Sequence, residues 1–147
     1  INAKNVPENL KGLRTMFLSF HHFQPKNAKM ILQNAINSNQ PIAVLEIQDR
    51  SLPSIVAMLL SPVSVLFTTP FIRPFRWSRL FFTYLIPIVP FVVLWDGIVS
   101  ALRTYTVEEM RNLINSLENN TAFEWNFNKK KSKTGFVIYT IGIPKKQ

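Results

Sequence analysis

The chain contains no cysteine, which removes disulfides, thiolate metal ligands and a cysteine nucleophile at once. That absence fits a cytoplasmic protein. Histidine is almost as scarce. His21 and His22 are the whole supply, no H-x-x-x-H spacing occurs, and no metal site is expected. Glycine is confined to Gly12, Gly97, Gly135 and Gly142, with no G-x-G anywhere, so a glycine-rich strand-to-helix turn is missing. Acidic residues are few: eight Asp plus Glu against seventeen Lys plus Arg leave a net charge of +9. Such a charge can indicate nucleic acid or an anionic membrane surface. Here it is dispersed over Lys129, Lys130, Lys131 and Lys133, over Lys145 and Lys146, and over Arg73, Arg76 and Arg79. Nucleic-acid binding needs basic and aromatic residues on one face, which this pattern does not provide, and no nucleic-acid partner is expected. The sequence starts at Ile1 and has no basic-then-apolar leader, so a fragment or a processed product is the expectation.

What is present is enough for one domain with a true core. The 147 residues are 47% hydrophobic and include twelve Phe, which excludes disorder by composition. Residues 1–14 are polar and carry Pro7 and Gly12, a loop or short lead-in. Thr15 to Phe20 is an apolar run of strand length. After His21-His22-Phe23, Pro25 can open a helix, and Ala28, Ile31, Leu32, Ala35 and Ile36 follow the spacing of one buried helix face. Asn37 to Pro41 breaks that helix. Ile42 to Ile47 is nearly continuous in apolar residues, as in a strand buried on both faces of a parallel sheet. Strand, helix and strand within about thirty residues make a βαβ unit, assigned to 15–48.

The last third, 106–147, reads as a helix and a hairpin. Thr106-Val-Glu-Glu109 is a capping box, and Val107, Met110, Leu113, Ile114 and Leu117 form the buried stripe before Asn119-Asn120 ends the helix. Ala122 to Phe127 alternates, with Phe123, Trp125 and Phe127 on one face as core. A Lys-rich polar turn over 129–133 and a second strand from Gly135 to Ile143 complete an antiparallel hairpin.

Between them, 49–105 is an apolar insertion. Ser51 to Ile72 and Leu80 to Trp95 carry no charge, and Arg73, Arg76 and Arg79 separate them. The first stretch is long enough to span a bilayer and the second is short. Pro53, Pro62, Pro70, Pro87 and Pro90 interrupt both, which favours short helices capping an apolar pocket over membrane spans. A hairpin or interfacial insertion with the arginines at headgroups is the lesser alternative.

The stretch Phe17-Leu-Ser-Phe-His-His-Phe23 resembles the end of the fourth strand in a group of class I S-adenosylmethionine-dependent methyltransferases. Thr69-Pro70, Arg73-Pro74, Thr83-Tyr84, Pro87, Pro90, Trp95-Asp96-Gly97, Ser100 and Leu102-Arg103-Thr104-Tyr105 resemble that group's long insertion, and the likeness runs over about residues 13–144. It implies an α/β fold: the C-terminal half of a Rossmann-like methyltransferase sheet, with parallel strands, a terminal antiparallel hairpin whose last strand is antiparallel, and a helical insertion. It implies S-adenosylmethionine as cofactor, bound by a Gly-rich turn after the first strand and an acidic residue ending the second. Neither is recognisable here, so the cofactor-binding residues stay unknown and the chain alone is expected to be inactive.

In a sheet of this kind ligands bind beyond the carboxyl ends of the strands. His21 and His22 fall at such an end, where one could serve as base or orient the acceptor; packing and helix capping are the structural alternatives. Glu46, Asp49 and Arg50 lie at or beyond the next strand's end, as substrate ligands or as a structural carboxylate–Arg50 pair. Asp96, Arg103 and Tyr105 flank the exit of the insertion. Arg103 could hold a carboxylate or phosphate, or join Asp96 in fixing the insertion. The leading expectation is methyl transfer to a small, apolar acceptor by a cytoplasmic protein, peripheral to the membrane in one variant. The alternatives are a noncatalytic binding or assembly module, with self-association through an uncovered sheet edge, and a membrane-associated protein using the apolar insertion.

Overall fold

The computed structural model describes residues 1–132 and 135–145, so Lys133 and Lys146 lie outside the described residues. In chain order the elements are β1 (Arg14–Phe17), α1 (Pro25–Asn37), β2 (Ile42–Glu46), α2 (Leu52–Leu59), α3 (Ser61–Thr68), α4 (Trp77–Leu80), α5 (Ile88–Arg103), α6 (Val107–Asn115), β3 (Phe123–Ser132) and β4 (Gly135–Pro144). They fall into two compact units: residues 1–49 with 103–147, and residues 50–102.

The first unit is mixed α/β. Its sheet has the order β1-β2-β4-β3. β1 and β2 run parallel, with Arg14 opposite Ile42 and Phe17 opposite Leu45. β4 lies antiparallel to both β2 and β3. β2 is buried at Ile42, Ala43, Val44 and Glu46, as its unbroken apolar run requires. One sheet face carries the core, where Ala28, Ile31, Leu32, Ala35 and Ile36 of α1 meet Met110 and Ile114 of α6, Leu117, and Ile42, Val44 and Phe123 of the strands.

The helix ends have local causes. Pro25 occupies the first turn of α1. Asn39 takes the left-handed conformation just past the C-cap, so the amides of Asn39 and Gln40 return to the carbonyls of Ile36 and Ala35. Thr106 caps α6: its hydroxyl accepts from the Glu109 amide at 3.1 Å, and the Glu109 carboxylate accepts from the Thr106 amide at 2.9 Å. α6 stops at Asn115, earlier than Asn119-Asn120: the Ser116 hydroxyl and the Asn120 side-chain amide donate to the Leu113 and Ile114 carbonyls, and Asn119 turns left-handed beyond the helix. The Gln33 side chain joins α1 to that connection, donating to the Glu118 carbonyl and accepting from the Glu118 amide.

Two strand boundaries differ from the sequence expectation. The first strand ends at Phe17 rather than Phe20, because Leu18 adopts a φ of 50° and turns the chain. The third strand runs past Phe127 to Ser132, so Lys129, Lys130 and Lys131 are strand residues and not a turn. They pair with Ile138, Val137 and Phe136, and this long β4 partner overrides their weak strand preference. Farther along the hairpin Gly142 faces Trp125, and the indole occupies the space a Cβ would need.

The second unit is a set of short helices. Pro53 and Pro62 sit in the first turns of α2 and α3. α4 continues as one wider turn over Phe81–Leu85, and Pro87 separates that turn from α5. Tyr84 donates its hydroxyl to the Leu66 carbonyl. Among the described residues no single helix is long and apolar enough to cross a membrane. Two bent pairs, α2 with residues 61–71 and residues 77–85 with α5, have the length and composition but break by 41° and 77°.

Candidate functional site

The candidate site lies at the carboxyl ends of β1 and β2, where the two parallel strands finish side by side. The Leu18 amide still donates to the Leu45 carbonyl at 3.0 Å, which holds the turn to β2. Its left-handed backbone then lifts Phe20, His21 and His22 into a single tight helical turn. Glu46, the last residue of β2, receives that turn. Its Oε1 accepts the Phe20 amide at 2.7 Å and the His21 amide at 3.2 Å, and its Oε2 meets His21 Nδ1 at 2.9 Å. Both side chains are buried.

A carboxylate only accepts, so this contact requires a proton on Nδ1, and in the neutral imidazole Nε2 then carries the lone pair. The pair thus sets one tautomer and one ring orientation. Histidine held this way is suited to receive a proton from a substrate hydroxyl or amine. His22 is exposed, and its ring centroid is 4.2 Å from that of His21.

Asp49 is buried three residues beyond Glu46 and forms an ion pair with Lys129 of β3. Lys129 also lies over the Phe136 ring, its ammonium 4.1 Å from the centroid. This corrects the reading of Lys129 as part of a polar turn: it holds the turn after β2 to the sheet. Glu46 takes His21 as its partner, not Arg50. Arg50 is exposed and begins the second unit.

The remaining expected ligands are spread out. Asp96 and Arg103 are exposed on α5, seven residues and therefore two turns apart along one helix. Tyr105 donates its hydroxyl to the Phe23 carbonyl at 2.6 Å and sets its ring against Phe20, with centroids 5.4 Å apart. It braces the same turn that carries His21. At the other end of β1, burial pushes the Arg14 guanidinium below its usual range, and its Nη1 donates to Asn34 at 2.8 Å.

Sequence reasoning placed His21 and Glu46 at neighbouring strand ends without joining them. It missed the Asp49–Lys129 link, whose partners are eighty residues apart and meet only through the sheet. Among the described residues no group of three or more His, Asp or Glu is arranged to hold a metal ion. No protein-family model, no curated protein and no solved structure matches this chain.

Proposed function

We propose that this chain is the C-terminal part of a class I S-adenosylmethionine-dependent methyltransferase domain acting on a small, apolar acceptor. The observation that carries this reading is the sheet. A parallel βαβ unit is followed by a hairpin whose last strand runs antiparallel to its neighbours, as the resemblance implies. Among the described residues no strand pairs with the outer edge of β1, which leaves room for the strands that would carry the cofactor site.

The residues present do not fit the cofactor. Neither strand-to-helix turn, 18–24 or 47–51, contains a glycine. Gly12 precedes β1, Gly97 lies within α5, and Gly142 accommodates Trp125. We therefore assign this chain acceptor-side roles only. His21 Nε2 would take the proton released by the acceptor's nucleophile, and Glu46 would hold the ring for it.

The gene sequence upstream of the Ile1 codon tests the reading most cheaply. It should encode further strand–helix units, the first with G-x-G after its strand. A coding region without them would contradict the proposal. A noncatalytic assembly module is the second reading, favoured by the exposed Leu13, Phe17 and Leu18 around the bare β1 edge. A stable dimer with exchange-protected β1 amides would favour it.

A further inference from the structure

The second unit exposes far more apolar surface than a free helical cap tolerates. Leu52, Phe67, Phe71, Trp77 and Trp95 are all largely exposed, Phe71 to 82% and Trp77 to 77%. A soluble monomer seldom leaves so many large apolar side chains in water without a partner. The charges in this unit narrow the choice of partner. Residues 50–102 hold four arginines against one aspartate, a net +3, and Arg73, Arg76 and Arg79 fall within seven residues of one another.

The connection that carries those arginines is organised. Arg79 turns back to donate to the Ile72 carbonyl at 2.8 Å and the Pro74 carbonyl at 3.3 Å, closing the loop between α3 and α4. Arg73 and Arg76 stay exposed on it, and the Phe75 and Trp77 rings meet edge to face at 5.2 Å beside them. Exposed guanidinium groups interleaved with Phe and Trp match the boundary between phosphate headgroups and acyl chains. A protein partner of opposite charge would satisfy the arginines but not the uncharged helices on either side. The bends of 41° and 77° are incompatible with straight spanning helices and suit shallow insertion.

We infer that the unit formed by residues 50–102 docks onto an anionic phospholipid bilayer, with Arg73 and Arg76 at the phosphates and Phe71, Trp77 and their neighbours in the interfacial layer. Binding of this kind stands apart from methyl transfer, because vesicle titrations read it without cofactor.

The test is flotation of the full chain with vesicles of phosphatidylcholine alone and of phosphatidylcholine with one third phosphatidylglycerol, together with tryptophan fluorescence. The expected result is binding to the anionic vesicles only, a blue shift that is reduced in Trp77→Ala, and weakening by rising salt. The exposed pair R73Q/R76Q should keep the native circular dichroism and weaken binding by about fivefold per arginine removed. Equal binding to both vesicle types, undiminished binding of R73Q/R76Q, or no binding to either would overturn the inference. So would a stable dimer in lipid-free buffer that already shifts Trp77 to the blue, since a second copy of the chain would then be the occupant.

Discussion

Glu46 closes β2 by gripping the turn that follows β1: two backbone amides and His21 Nδ1 all converge on its carboxylate within 3.2 Å. The same group therefore fixes a turn and selects a histidine tautomer. Glu46→Gln separates these roles from simple packing, since it keeps the shape and loses the charge. It should cost about 1.5–3 kcal/mol in urea unfolding, the range for hydrogen bonds to a charged group. The amide must also offer either an NH₂ or a carbonyl to Nδ1. Nitrogen chemical shifts of His21 should report the Nδ1–H form in the native protein and a mixture of tautomers in the variant.

Leu18 is the strained position of this turn. A left-handed backbone costs an ordinary L-residue roughly 1–2 kcal/mol, and glycine avoids that cost while adding about 0.4–1 kcal/mol of unfolded-state entropy. Leu18→Gly should accordingly leave stability unchanged or raise it by up to about 1.6 kcal/mol. Leu18→Val, β-branched at a positive φ, should lower it by more than about 1 kcal/mol. Thermal melting of the two variants in parallel checks both signs.

Gly142 and Trp125 form a cross-strand pair in which one residue has no side chain because the other uses its space. A Cβ on Gly142 would stand 2.5 Å from the indole ring. Gly142→Ala should destabilise by about 1–3 kcal/mol, the cost of overpacking. Adding Trp125→Leu should recover much of that loss, a non-additive result that a double-mutant cycle measures directly.

The capping box offers a calibrated comparison. Thr106→Ala removes the hydroxyl that accepts the Glu109 amide and should cost about 1 kcal/mol. Because α6 contributes Met110 and Ile114 to the core, the loss should appear in global unfolding and not as local fraying.

These residues also mark how much the sequence could disclose. The capping box, the Pro25 start of α1 and the apolar run of β2 are local signals, and each element forms where its signal lies. The Leu18 turn carries no such mark, since leucine gives no hint of a left-handed backbone. Lys129 to Lys131 read as a turn because lysine disfavours strands, yet pairing along β4 keeps them extended. The candidate site was half legible. His21 and Glu46 could each be placed at a strand end, but only the parallel register of β1 and β2 brings them to 2.9 Å. The Asp49–Lys129 pair depends on β4 lying between β2 and β3, which no local pattern encodes.

The most direct test of the methyltransferase reading is calorimetric titration of S-adenosylmethionine into this chain, alone and extended by the residues encoded immediately upstream of it. The account predicts no measurable binding to the chain alone and one-to-one binding to the extended protein. Tight binding by the isolated chain, or none by either, would contradict it.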